Sequence, residues 1–212
     1  SKIAGFLDEL IVINVNPSPK EEEKFFYFLK KIVSNVFVPI TIGGGIYSLE
    51  SAIHFFKNGA DKVILNSAVR NNLSIVSKII NYFGSQSVVA SVDYKIEENN
   101  AWVFDWKENH IIEGLKLSSY LKIIHDQEFG EIILNSVDND GTGFGFDLKN
   151  ISIFAKKCIL PLIVMGGAGK YEHFINLFKN SKIDAAATAN LLNFLSDAIP
   201  NIRINLLKDG ID

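Results

Sequence analysis

The sequence predicts an α/β fold in which a parallel sheet is covered by helices. Three observations carry the prediction. Short β-branched, apolar runs alternate with amphipathic segments along the chain, and those runs are apolar at nearly every position. Two of them also close on glycine clusters, Thr41-Ile42-Gly43-Gly44-Gly45-Ile46 and Val164-Met165-Gly166-Gly167-Ala168-Gly169. Alternation of this kind implies parallel strands joined by helical crossovers, and near-continuous apolar strands imply burial on both faces.

In chain order, the strand-like runs are Leu10 to Val15, Ile40 to Ile42, Val63 to Asn66, Val88 to Val92, Ile132 to Asn135, Leu162 to Met165 and Ala185 to Ala189. Helical segments lie between them at Glu21 to Asn35, Leu49 to Asn58, Leu73 to Phe83, Leu117 to Gln127, Leu148 to Lys157 and Lys170 to Asn180. Ala101 to Ile112 breaks the alternation with aromatic and β-branched residues around Lys107-Glu108-Asn109, and reads as an inserted hairpin. Seven strands are one short of a closed (β/α)8 TIM-type barrel, and residues 1 to 9 read as the end of a helix. The expectation is a single barrel domain over residues 1 to 212, holding strands two to eight, with the first βα unit absent from this chain. An open sheet of that kind leaves two edges for a partner to cover.

Composition narrows the function classes. With 48% hydrophobic residues, 21% charged residues and 16 phenylalanines in 212 residues, the chain has material for one large core and is not low-complexity. A net charge of -3 and scattered lysines give no footprint for nucleic acid. Cys158 is the only cysteine, so no internal disulfide or thiolate metal site is available, which points to a reducing, cytoplasmic setting. No apolar run reaches the length of a membrane span, and Ser1-Lys2-Ile3 does not open a signal peptide.

The glycine clusters suit phosphate cradles. Backbone N–H groups approach an oxyanion only where no Cβ intervenes, and the helix that follows adds positive potential at its N-terminus. Tight strand-to-helix turns alone also use glycine, but two clusters in matching contexts favour two cradles and a ligand with a phosphate at each end. In parallel barrels the reacting groups sit at the C-terminal strand ends. Two carboxylates fall there, Asp93 after the fourth run and Asp140 in the loop Asn135-Ser136-Val137-Asp138-Asn139-Asp140-Gly141-Thr142, and such a pair fits general acid and base roles. One of Asp138 and Asp140 is expected to brace the loop, and Asp140 is favoured as functional.

At the opposite rim, Asp8-Glu9, Asp61-Lys62 and Glu131 precede strands, where an ion-paired rim is the simpler reading unless a partner meets it. His54, His110, His125 and His173 show no metal-ligand spacing, so no metal is expected and they read as ordinary surface or helix-face residues; no cofactor is expected either. Trp102 and Trp106 are expected to pack the hairpin down.

The motifs resemble a known family. Asp8-Glu9-Leu10, Gly43-Gly44-Gly45-Ile46, Gly59-Ala60-Asp61-Lys62-Val63, Asn66-Ser67-Ala68 and Phe83-Gly84-Ser85-Gln86 are among them. Val92-Asp93, Asp138-x-Asp140-Gly141-Thr142 and Gly166-Gly167-Ala168-Gly169-Lys170-x-Glu172-His173-Phe174 complete the set. Together they resemble HisF, the cyclase subunit of imidazole glycerol phosphate synthase, over nearly the whole chain and more specifically than its isomerase relative HisA. The resemblance implies a (β/α)8 lyase that takes ammonia from a HisH-type glutaminase subunit. It further implies that this ammonia is used to cleave and cyclise a bis-phosphorylated ribulosyl formimino intermediate of histidine biosynthesis. It implies that Gly45, Asn66 and Ser67 hold one phosphate, that Gly167, Ala189 and Asn190 hold the other, and that Asp140 and Gly141 line the substrate path. Asp93 matches one of two catalytic aspartates; the other, with a loop lysine, belongs to the first βα unit. Glu9, Lys62 and Glu131 match the ammonia gate, and Asp61 a residue facing the glutaminase.

Three positions depart from the pattern: Asn14 and Asn190 replace an aspartate and a serine, and Tyr120 replaces a tryptophan. HisF-like paralogues of surface-polysaccharide clusters, which with a HisH-like glutaminase feed ammonia to a sugar amidotransferase, are the alternative. A HisA-type phosphosugar isomerase is a second.

Overall fold

The computed structural model describes residues 6–189 and 198–211. The chain divides into two compact units, Ser1–Ala90 with Gln127–Gly130, and Ser91–Asp126 with Glu131–Asp212.

The first unit runs β1 (Leu10–Ile13), α1 (Pro19–Val33), β2 (Ile40–Gly43), α2 (Leu49–Lys57), β3 (Lys62–Leu65), α3 (Ser67–Asn71) and α4 (Leu73–Phe83), and ends in the start of β4 (Val88–Glu97). Its strands are parallel, with Leu10 opposite Ile40, Thr41 opposite Lys62 and Val63 opposite Val88. Parallel pairing follows from the crossovers, since a helix carries the chain back across the sheet between successive strands. Local signals set the helix ends. Pro19 begins α1, Glu21 and Glu22 occupy its first turn and Lys30 and Lys31 its last, matching the helix dipole. Before α2, Ser48 Oγ accepts from Ser51 N–H and Ser51 Oγ accepts from Ser48 N–H, a reciprocal cap. Ile42, Val63, Leu65 and Val88 from the sheet, and Leu29, Phe55, Val76 and Ile79 from the helices, are buried.

The second unit holds the remainder of β4, the hairpin β5 (Asn100–Asp105) and β6 (His110–Lys116), then α5 (Leu117–His125), β7 (Glu131–Ser136), α6 (Leu148–Ala155), β8 (Leu162–Met165), α7 (Tyr171–Asn180), β9 (Ala185–Ala186) and α8 (Ala198–Lys208). β4 continues past its expected end at Val92 to Glu97. The reason is the hairpin, which supplies antiparallel partners and pairs Tyr94 with Val103 and Ile96 with Ala101. Trp102 fastens the insertion, its Nε1 donating to the Glu97 carbonyl at 3.4 Å and its ring lying 5.5 Å from Lys116 Nζ. Trp106 meets Phe104 edge-on at 5.2 Å.

β7, β8 and β9 are parallel, with Asn135 opposite Met165 and Ile163 opposite Ala185. Tyr94, Tyr120, Ile124, Ile132, Leu134, Ile151, Val164 and Leu177 fill the interior. α8, which the sequence reading did not anticipate, is tied on by an ion pair from Lys179 of α7 to Asp209, 2.6 Å. This alternation of parallel strands and covering helices is of the α/β, TIM-type (β/α)8 class. No helix of the described residues is long and apolar enough to cross a membrane.

Candidate functional site

The first cradle follows β2. Gly44 stands at φ 91°, and a Cβ there would lie 2.1 Å from the Asn14 carbonyl oxygen. Only glycine permits the loop after β1 to come this close. Asn14 N–H donates to the Gly43 carbonyl at 2.8 Å and holds the two loops together. Next to it, after β3, Asn66 precedes α3 and accepts from Arg70 Nη1 at 2.6 Å, while Ser67 is the first residue of that helix. Among the described residues, no hydrogen bond engages the N–H of Gly44, Gly45 or Ser67. Those donors are the kind an anion takes up.

The second cradle follows β8 and is braced more heavily. Gly167 stands at φ 105°, and a Cβ there would lie 2.0 Å from the Gly145 carbonyl oxygen. Gly145 N–H donates to the Gly167 carbonyl at 2.7 Å, so the loop after β7 lies directly on the cradle. Asn139 holds that loop, donating through Nδ2 to the Gly145 carbonyl at 2.9 Å and accepting at Oδ1 from Ser136 Oγ at 2.8 Å. Gly169 N–H donates to His173 Nδ1 at 3.1 Å. The same ring lies 3.5 Å from where a Cβ of residue 145 would be. Burial, with Lys170 adding to it, pushes the His173 pKa down and favours the neutral imidazole, the form whose Nδ1 accepts. The sequence reading left His173 as an ordinary helix-face residue, although its place four residues after Gly169 at the start of a helix was a usable signal. Ala189 is exposed beyond β9, and Asn190 lies outside the described residues.

In the loop after β7, Asp138 is the bracing carboxylate, with Oδ2 accepting from Ile96 N–H at 2.8 Å. Asp140 and Gly141 are exposed, and Asp140 N–H donates to the Ser136 carbonyl at 2.9 Å.

Asp93 is 6% exposed and lies inside β4 rather than at its end. Asn135 of β7 donates through Nδ2 to Asp93 Oδ1 at 2.8 Å, a buried contact. Next along β4, Tyr94 OH donates to Asp147 Oδ2 at 3.0 Å. Burial and the Asp147 charge push the phenol pKa far up, so the hydroxyl remains a donor. Asn135 was missed in the sequence, where the signal was an amide ending an otherwise apolar strand.

At the N-terminal strand rim of the first unit, Glu9 Oε2 meets Lys62 Nζ at 3.1 Å, and Glu9 Oε1 accepts from the Thr41 hydroxyl, which is buried in β2. Asp61 Oδ2 accepts from Ile40 N–H at 2.8 Å and Asp61 N–H donates to the Ile40 carbonyl at 2.9 Å. Asp184 and Leu162 repeat this pair in the second unit at 2.8 and 3.0 Å. Phe37, between α1 and β2, is 92% exposed. Glu131 begins β7 and is half-buried. Among the described residues no cluster of His, Cys, Asp and Glu could hold a metal ion.

A parallel α/β chain with glycine loops at its strand ends and a buried carboxylate beside one of them is of the TIM-type enzyme class. Residues 4–196 match the histidine biosynthesis protein family. The chain is 40% identical over 197 residues, 92% of its length and 72% of the other's, to a Parasynechococcus marenigrum protein named for imidazole glycerol phosphate synthase subunit HisF2. It is 33% identical over 208 residues, 97% of its length and 81% of the other's, to the HisF subunit of a Thermotoga species. To the Campylobacter jejuni HisF subunit it is 33% identical over 209 residues, covering 97% and 82%. The chain belongs to the HisF family of histidine biosynthesis proteins.

Proposed function

We propose that this protein is the cyclase subunit of an imidazole glycerol phosphate synthase. In this reading it uses ammonia released by a HisH-type glutaminase to cleave and cyclise a bis-phosphorylated ribulosyl formimino substrate. The observation that carries the reading is Asp93, a carboxylate buried in an apolar interior and oriented by Asn135, in the same unit as an anion cradle. A buried, hydrogen-bonded carboxylate at a strand's C-terminal half is suited to move a proton at the reacting carbon skeleton.

Each cradle takes one phosphate of the substrate, Gly45, Asn66 and Ser67 the first, and Gly167, Ala189 and Asn190 the second. Asp140 and Gly141 line the path between solvent and Asp93. The resemblance assigns ammonia entry to Glu9, Lys62 and Glu131, and Lys62 is ion-paired with Glu9. The glutaminase docks on the rim that carries Asp61, with the exposed Phe37 ring as an apolar anchor. No cofactor is called for. With ammonium salt and the bis-phosphate, the protein is expected to form imidazole glycerol phosphate. Absence of product where the Thermotoga relative turns over would reject the reading.

A second reading is favoured by Asn14 and Asn190, and the HisF2 relative fits a paralogue of the family. Here the chain conducts ammonia to a sugar amidotransferase and its own ring chemistry is idle. Asp93→Asn then leaves glutamine-dependent sugar amidination intact, and its collapse would exclude this role.

A further inference from the structure

Asn135 carries more than the proposed function uses. The side chain is 5% exposed and touches Asp93 through Nδ2, while its Oδ1 is buried with no hydrogen-bond partner among the described residues. The amide presents its NH2 side to Asp93 Oδ1, so Oδ1 is the atom left without a partner. A buried acceptor left unpartnered is costly, which is the signature of a site that a ligand completes. The place it faces is also specific. A Cβ on Gly166 would lie 3.0 Å from Asn135 Oδ1. The glycine that opens the second cradle therefore lies directly against this oxygen, where any side chain would crowd it.

We propose that Asn135 is a specificity-determining contact, its Oδ1 accepting a hydrogen bond from an N–H or O–H group of the substrate beside the phosphate held in the second cradle. Through Nδ2 the same side chain acts as a positioning residue for Asp93. One planar amide thus links the group that moves the proton to the part of the ligand next to the phosphate. The ligand class that fits is a phosphate ester with a hydroxyl or amino donor close to the ester. Inorganic phosphate satisfies the cradle but lacks the hydroxyl on the carbon skeleton beside the ester that would reach Oδ1. The inference rests on the proposed function for the identity of the second cradle.

The test follows the amide signal of Gly167 in proton–nitrogen spectra during titration with inorganic phosphate and, separately, glycerol 3-phosphate. The unaltered protein is expected to prefer glycerol 3-phosphate. In Asn135→Leu, affinity for glycerol 3-phosphate should fall about tenfold, while inorganic phosphate stays within about twofold. Equal loss for both ligands, or loss for neither, would overturn the inference and leave the proposed function standing. Failure of the unaltered protein to bind either ligand would overturn both. Asn135→Asp keeps an acceptor oxygen but removes the donor to Asp93, so turnover should show a lowered kcat with KM nearly unchanged. A raised KM with kcat intact, or no change in either, would overturn the inference independently, including where the leucine variant fails to fold.

Discussion

The two glycine loops share one plan and differ in how they are held. Each follows a parallel strand, each brings a glycine at positive φ against a backbone carbonyl, and each is followed by a helix and another strand braced by an aspartate, Asp61 or Asp184. Among the described residues, the backbone hydrogen bond that joins the first loop to its neighbour comes from Asn14, and none engages the N–H of Gly44 or Gly45. In the second, Gly145 is bonded to Gly167, Asn139 to Gly145 and His173 to Gly169. It also shares its unit with Asp93 and Asn135. Rigidity is thus concentrated where the carboxylate is. A general acid or base must be positioned to a fraction of an ångström, whereas an anchoring phosphate tolerates some slack.

The contrast can be broken most forcefully at the glycines. Gly167→Ala puts a Cβ 2.0 Å from the Gly145 carbonyl oxygen. We expect a loss of about 3 kcal/mol in urea unfolding together with loss of phosphate-ester binding at that loop. Gly44→Ala meets the Asn14 carbonyl at 2.1 Å, but the loop after β1 has fewer ties and can move aside. Its cost should be smaller, about 2 kcal/mol in the same assay. Equal losses would remove the distinction between the loops.

A milder change is Asn139→Ala, which cuts the bond to Gly145 and should destabilise by about 1–2 kcal/mol while leaving inorganic phosphate binding at the first loop unchanged. Its mirror is Arg70→Ala, which removes the donor to Asn66. That variant should lower stability by about 1 kcal/mol and weaken phosphate only at the first loop, read from the Gly45 amide signal.

The smallest effect is one of pH. Burial lowers the His173 pKa from the ordinary value of 6.5, so the folded state binds fewer protons than the unfolded chain in that range. The associated stability is present above the ordinary value and is lost as pH falls through 6.5 toward the lowered folded-state value. His125 shifts in the same direction through burial, and accepts from Ile159 N–H at 3.4 Å. Tm should therefore fall between about pH 7 and pH 5, with a shallower fall in His173→Asn, whose side chain keeps an acceptor without the titration.

Much of the fold was legible because its signals are local. Leu73–Phe83 and Leu162–Met165 fall where their apolar spacing put them, and Pro19 and Ser48 mark helix starts by chemistry visible in the sequence. The extension of β4 to Glu97 was not legible, because residues 93 to 97 are polar at alternate positions and become strand only through pairing with β5. α8 was not anticipated because its apolar pattern is weak, although Pro200 near its start and Gly210 after its end were usable signals.

In the site, the glycines and Asp93 stood out as residue types with few other uses. Asn135 and His173 did not, since an amide or imidazole shows its role only through the group it faces, across 42 residues for Asn135 and Asp93. Asp61 carried a role from resemblance, and the structure adds a second one, the brace on Ile40, that spacing alone does not reveal.

The role proposed for Asp93 is proton transfer in ammonia-dependent ring closure. The measurement that tests it most directly is steady-state turnover of the bis-phosphate with ammonium salt for the unaltered protein and Asp93→Asn, whose amide is isosteric but cannot exchange a proton. The account predicts product from the unaltered protein and a fall of about a thousandfold or more in kcat for the variant, with bis-phosphate affinity retained. A variant within about tenfold of the unaltered kcat would contradict it.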